Sequence, residues 1–228
     1  MTVFRRYALY AMAEEPLHTI ASQWLGWDSR LGHKVDHPVL EGLRYDIAQA
    51  TATPRKYGFH GTLKPPFRLI EGQSRQQLLR ACQERLPTMQ SVAISRMVVR
   101  PMNGFVALVP EGSCPALDQL CERVVRDFDA FRAPLNGAEL AKRRASKLTD
   151  RQEEQLLRWG YPYVMDEFRF HMTLSGQLDE ETSHDLAERL QRYLCSDMPE
   201  PFILRTISLM GEDVDGHFHE IEAYTLAA

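Results

Sequence analysis

Two stretches of the chain alternate polar and apolar residues one by one, the period of a strand with one wet face and one packed face. In Gly58-Phe59-His60-Gly61-Thr62-Leu63-Lys64, the residues Gly58, His60, Thr62 and Lys64 share a face, while Phe59 and Leu63 take the other. Further on, Arg169, His171, Thr173 and Ser175 face one way and Phe168, Phe170, Met172 and Leu174 the opposite way. Elsewhere apolar residues return every three or four positions. Helices are therefore expected at Leu17–Leu25 behind Pro16, Gln76–Leu86, Pro115–Phe131, the basic stretch Glu139–Lys147, Gln152–Trp159 closed by Gly160 and Pro162, and Glu180–Leu194. Short apolar runs at Phe4–Met12, Val92–Arg100, Phe105–Val109, Phe202–Met210 and His217–Thr225 predict further strands, with Asn103-Gly104 as a hairpin turn. Pro65-Pro66 is expected to end the first alternating strand. Residues 28–56, broken by Gly32, Pro38, Gly42 and Pro54, read as an excursion with one helical turn around Leu40–Ile47.

The elements repeat in kind. Strand, helix, excursion, alternating strand, helix and strand run from Phe4 to Arg100 and again from Phe105 to Met210, giving approximate repeats over residues 4–100 and 105–226. A period of about 110 residues is far longer than the ~20–50 of a solenoid unit and points to a duplication. The expectation is an α+β fold, a single bilobal domain over residues 1–228. Its two mainly antiparallel sheets would face a central cleft, with helices on the outer faces, and a pseudo-twofold would bring the alternating strands together.

Composition changes this picture little. With 44% hydrophobic and 25% charged residues among 228, the chain can bury a sizeable core. No apolar run approaches the roughly 20 residues that span a bilayer, and the N-terminus lacks a signal peptide's hydrophobic stretch, so a cytoplasmic location with no membrane partner is expected. A net charge of −4 argues against a surface built for long nucleic acid but leaves room for a small anion in a locally basic cleft. Cys82, Cys114, Cys121 and Cys195 show neither metal-ligand nor disulfide spacing. His217 with His219, and His33 with His37, lack acidic or cysteine partners at ligand spacing, and no metal or other cofactor is expected.

The two alternating strands carry one motif twice: Phe59-His60-Gly61-Thr62-Leu63 and Phe170-His171-Met172-Thr173-Leu174, their histidines 111 residues apart. Paired His-x-Thr strands at about this separation resemble the two-histidine (2H) phosphoesterases. The longer stretches Thr53–Phe67 and Trp159–Val164, the latter ahead of Phe168–Leu174, are similar to a bacterial branch whose members carry a phosphonate-metabolism name. The resemblance covers nearly the whole chain. It implies that His60 and His171 are the catalytic pair and that Thr62 and Thr173 contact phosphate.

The chemistry suits those residue types. Phosphodiester hydrolysis without a metal needs a base for the attacking water and an acid for the leaving oxygen, and two imidazoles with an ordinary pKa near 6.5 supply both near neutrality. Threonine hydroxyls donate to the non-bridging oxygens, and cations offset their charge. Lys64 and Arg169, on the histidines' faces, are candidate phosphate ligands, as are Arg143 and Arg144 in the second excursion. Tyr7 and Tyr57, with Tyr161 and Tyr163, are candidates for stacking on a sugar or base. The reading is a metal-independent hydrolase of a small cyclic phosphate or phosphodiester, such as a ribose cyclic phosphate or a phosphonate-derived intermediate. Its partner is then a small phosphorylated compound, a sugar phosphate or nucleotide. The alternatives are a non-catalytic nucleotide or RNA-end binding module, and an RNA-terminus ligase or phosphodiesterase. Which histidine is the base is left open.

Overall fold

A computed structural model describes residues 3–40, 42–43 and 45–228. The chain starts with strand β1 (Arg6–Ala11) and helix α1 (Leu17–Leu25), passes a short helix α2 (Ile47–Ala50), and reaches the first motif strand, β2 (Gly61–Phe67). Helix α3 (Arg75–Arg85) follows, then strands β3 (Val92–Ile94), β4 (Met97–Met102) and β5 (Phe105–Pro110). Next come helices α4 (Pro115–Asp127), α5 (Gly137–Arg144) and α6 (Asp150–Trp159). The second motif supplies β6 (Met172–Thr173), and α7 (Glu180–Leu194), β7 (Phe202–Leu204), β8 (Thr206–Glu212) and β9 (Phe218–Thr225) complete the order. The helix turn expected around Leu40–Ile47 is instead α2, one step later; Glu41 and Arg44 of that stretch lie outside the described residues.

Local chemistry sets the helix ends. Ser74 with Gln77, Asn136 with Glu139 and Thr149 with Gln152 form reciprocal capping boxes at the starts of α3, α5 and α6, each satisfying two otherwise unpaired backbone donors. Helix α6 stops at Gly160, whose φ of 74° is the left-handed conformation that glycine adopts without strain.

The class is α+β and the strand pairing antiparallel, with one difference from the expected pair of facing sheets. A seven-stranded sheet runs β4-β5-β6-β2-β1-β8-β9, and β3 pairs with β7 in a separate two-stranded sheet. The motif strands are thus neighbours within one sheet, meeting at the antiparallel pair Gly61 and Met172. The order reads alike in either direction from that boundary: β2, β1, β8 on one side and β6, β5, β4 on the other. The apolar runs Val92–Arg100 and Phe202–Met210, expected as single strands, each divide in two, because the chain leaves the small sheet and enters the large one at Ser95-Arg96 and at Arg205.

Strand β2 also continues through Pro65-Pro66 to Phe67, where an end was expected. Its partners explain this. Leu9 pairs with Lys64 and Tyr7 with Phe67, so Ala8 alone opposes the two prolines in an irregular, bulged stretch that needs no N–H from them.

The two faces of β1 divide the molecule. Tyr7, Leu9 and Ala11 point into the main core, filled from the helices by Trp24, Leu78, Val124, Leu186 and Leu190. Each such fully buried Leu or Val contributes roughly 1.5–3 kcal/mol. Ala8, Tyr10 and Met12 point the other way, packing with Met210 and Phe218 beside Tyr57. The indole Nε1 of Trp24 donates to the Leu174 carbonyl at 2.7 Å, tying α1 to the second motif. Among the described residues no helix is long and apolar enough to cross a membrane.

Candidate active site

One residue either way from the Gly61–Met172 pair, the antiparallel register sets His60 across from Thr173 and Thr62 across from His171. Two adjoining hollows follow that pattern. His60 and Thr173 line one of about 470 Å³, with Pro54, Tyr57, Phe105 and Gln177 in its wall. Thr62 and His171 line the other, of about 380 Å³, with Tyr161, Tyr163, Phe168 and Arg169. Phe105 and Gln177 belong to both. The two motifs therefore form one cleft, a histidine and a threonine from opposite strands at each end.

Both imidazoles are held alike. His60 Nδ1 lies 2.9 Å from the Gly58 carbonyl and His171 Nδ1 lies 2.7 Å from the Arg169 carbonyl, in each case the carbonyl two residues earlier. A carbonyl only accepts, so Nδ1 carries the proton in both rings and Nε2 is the atom free for chemistry. Gly58 can present its carbonyl this way because its φ of 72° is left-handed, and a Cβ there would meet Ser29 at 2.8 Å. Gly61 needs its missing side chain for another reason: the Phe170 ring fills the space a Cβ would occupy. That is why the residue between His and Thr is glycine in one motif and a buried methionine, Met172, in the other.

The surroundings differ. The His60 ring stacks on Tyr10, with centroids 3.6 Å apart and planes 20° from parallel, while Tyr57 stands 6.3 Å away. Its Nε2 is 3.0 Å from the Thr62 hydroxyl, which donates to the free lone pair when the ring is neutral. Burial, aided by the nearby His171, pushes the His60 pKa down from 6.5 to about 4, against the opposing bond to Gly58. His171 has Phe105 as its ring neighbour, 5.7 Å away and tilted by 55°.

The other sequence candidates separate. Lys64 is not in the cleft. Leu63 and Lys64 both oppose Leu9 at a bulge, which breaks the alternation and turns Lys64 to the helix-packed face. There it is 1% exposed, donating to the Val125 carbonyl and to Asp129, both at 3.2 Å. Burial pushes its pKa down from 10.5 to about 8. Tyr7 is likewise on the core face, edge-on to Phe4. Arg144 is directed away into an ion pair with Glu153 on the exposed side of α5 and α6.

Arg169, by contrast, lines the His171 hollow, its guanidinium donating to the Asp166 and Phe168 carbonyls. Arg143 lies 4.6 Å from the Tyr161 ring, which forms part of that wall. Tyr57 lines the His60 hollow and stacks on Phe218.

Three participants escaped the sequence reading: Tyr10, Phe105 and Gln177. The run from Tyr7 to Met12 is apolar throughout and hides which face meets the cleft; only pairing with β2 reveals that Tyr10 and Thr62 share it. The metal-ligand types went elsewhere. His219 pairs with Asp213 at 2.7 Å, His217 packs on Trp27, and His37 Nδ1 bonds the Trp24 carbonyl. Among the described residues no group of three or more His, Cys, Asp and Glu is placed to hold a metal ion.

The family described as "Protein of unknown function (DUF1045)" matches residues 62–219. The protein named ribose 1,5-bisphosphate phosphokinase PhnN of Janthinobacterium sp. (strain Marseille) is 40% identical over 176 residues, 76% of this chain and 39% of that protein. Its namesake from Laribacter hongkongensis (strain HLHK9) is 35% identical over 181 residues, 77% and 41% of the two chains. The chain thus spans about two fifths of the length of these curated relatives. Among solved structures, one described as a phosphoesterase aligns over 99% of this chain and 100% of its own, with a TM-score of 0.48 and 12% identity. E. coli LigT in apo form aligns over 100% of both chains, with a TM-score of 0.45 and 11% identity.

Proposed function

We propose that this chain, which belongs to the DUF1045 family, hydrolyses a small cyclic phosphate or phosphodiester, with His60 as general base and His171 as general acid. The observation that carries the reading is the matched pair of imidazoles, each anchored through Nδ1 to the carbonyl two residues back and each across the strand boundary from the other motif's threonine. In the proposed step His60 Nε2 takes a proton from water as its oxygen bonds to phosphorus. The bond from phosphorus to the leaving oxygen breaks, and the protonated His171 gives its Nε2 proton to that oxygen. A diester yields a monoester and an alcohol, and a cyclic phosphate opens to a monoester.

The roles follow from environment. A base must be neutral when the substrate arrives, and burial keeps His60 neutral down to about pH 4. When substrate binds, Thr62 turns its hydroxyl from His60 Nε2 to a non-bridging oxygen, Thr173 donates to another, and Arg169 offsets their charge, with Arg143 behind Tyr161 as a second cation. Two imidazoles suffice for both proton transfers, so the proposal includes no metal.

For the substrate we favour a ribose cyclic phosphate. The curated relatives are named for a kinase of ribose 1,5-bisphosphate, and ring opening would leave a phosphomonoester on ribose, a compound of that kind. The test is a panel of ribose and nucleoside cyclic phosphates and linear diesters given to purified protein with and without EDTA. Turnover that survives chelation supports the reading. Binding without turnover on every member would replace it with a nucleotide-binding module, and loss on chelation with rescue by zinc or manganese would replace it with a metal-dependent one.

A further inference from the structure

We infer that Tyr10 is a positioning residue for catalysis, its ring laid flat against the imidazole of His60 so that Nε2 stays aimed into the cleft. For its catalytic consequence the inference rests on the reading above. The Tyr10 and His60 planes are 20° from parallel with centroids 3.6 Å apart, and Tyr10 is 0% exposed. Behind it Phe218 packs at 5.6 Å, and Phe218 stacks in turn on Tyr57 at 5.3 Å. The plate against the imidazole is therefore itself fixed. His60 has its Nδ1 bonded to Gly58, its Nε2 beside Thr62 and one ring face covered. An imidazole so held cannot rock about χ2, and proton transfer depends steeply on such alignment.

The second half shows what the plate adds. Thr62 pairs with Tyr10 across β1 and β2, and Thr173 pairs with Ala107 across β5 and β6. Ala107 thus stands where Tyr10 stands, and it offers no ring; the aromatic neighbour of His171 is Phe105, 5.7 Å off and tilted. Nor is Tyr10 a proton donor. Burial raises its phenol pKa well above 10, and the residue has no exposed surface with which to meet a substrate.

The test compares Tyr10→Phe, which keeps the ring, with Tyr10→Met, which fills similar space without it. Thermal melts report folding, and 15N spectra of the histidine rings report where the His60 proton sits. The expected result for Tyr10→Met is a kcat lower by about 10–100-fold, KM within about threefold, and loss of the fixed Nδ1–H signature of His60. Tyr10→Phe should stay within about threefold of the original kcat. A Met variant with unaltered kcat and His60 spectrum would overturn the inference, as would a Phe variant that falls as far, since the hydroxyl would then be what matters. Should the Met variant fail to fold, the unaltered protein still decides. The stack requires the His60 ring protons to be shifted upfield by the Tyr10 ring current, and their absence from that region overturns it. The histidine spectra need no substrate, so failure of the hydrolase reading and failure of this one are distinguishable.

Discussion

The His60 and His171 ends of the cleft carry the same motif, the same Nδ1 anchor and a threonine from the opposite strand, yet they are walled differently. At the His60 end an aromatic layer of Tyr10, Phe218 and Tyr57 backs the ring, and burial pushes the imidazole pKa down to about 4. At the other end the ring neighbour among the described residues is a tilted Phe105, and Arg169 stands two residues away in the same wall. A shared His-x-Thr motif thus meets two different surroundings because its neighbours across the sheet differ. Under the proposed mechanism, what would tell base from acid is set by these neighbours and not by the motif.

The largest effects should come from removing either histidine. His60→Ala and His171→Ala are each expected to lower kcat/KM by at least about 10²-fold without loss of fold. The comparison sharpens with an aryl ester whose leaving oxygen needs no proton. His171→Ala should recover most of its loss on that substrate and His60→Ala should not, and the reverse pattern would exchange the two roles.

Arg169 and Lys64 form the next contrast. Arg169→Ala should cost roughly tenfold or more in kcat/KM through lost charge stabilisation. Lys64→Met, a change confined to the core face, should leave kcat/KM within about threefold, since Lys64 touches Asp129 and Val125 rather than the cleft. Equal losses in a side-by-side assay would return Lys64 to the site.

The two ends should also part with pH. With His60 near 4, kcat/KM is expected to hold through pH 5 and to fall only as pH drops past about 4, where the base gains a proton. Stability follows with a definite sign. Between about 6.5 and 4 the unfolded chain binds a proton at this residue and the folded one does not, so unfolding free energy falls as pH is lowered through that window. The loss is at most about 3 kcal/mol. His60→Gln should flatten this part of a urea-denaturation series run from pH 7 to pH 4; an unchanged slope would assign the pH dependence to other groups.

Smallest is a packing asymmetry. Gly61→Ala forces a methyl group against the Phe170 ring and should destabilise by roughly 1–3 kcal/mol, whereas alanine at Gly137, where no described residue lies within 4 Å of the added Cβ, should be tolerated. Thermal melts of the two variants check it.

The sequence made the motif strands, the major helices and the pairing of the two histidines visible, because period and spacing are local signals. Register was not. Lys64 is on the polar face by counting in twos, and a single bulge opposite Leu9 reverses it. Tyr10 sits in a run with no polar residue to mark its two faces, so its place against His60 depends on which strand lies beside β1. Pro65-Pro66 reads as a terminator because proline cannot donate, and the irregular partner stretch at Ala8 makes no such demand. Each of these turns on pairing with a strand distant in sequence.

The strand order carries one more consequence. β4, from the first half, is edge partner to β5, and β8, from the second, lies against β1, so the halves are stitched by exchanged strands as well as by the motif boundary. Cutting the chain at Asn103-Gly104 would leave two fragments, each missing a strand its own sheet side needs, and neither would hold both motif histidines until they reassociated. For the same reason the two imidazoles are not carried on bodies that swing apart. They lie one residue before Gly61 and Met172, paired residues of adjacent strands whose spacing of about 4.8 Å is a property of the peptide backbone, so the separation of the two histidine backbones is set before any ligand arrives.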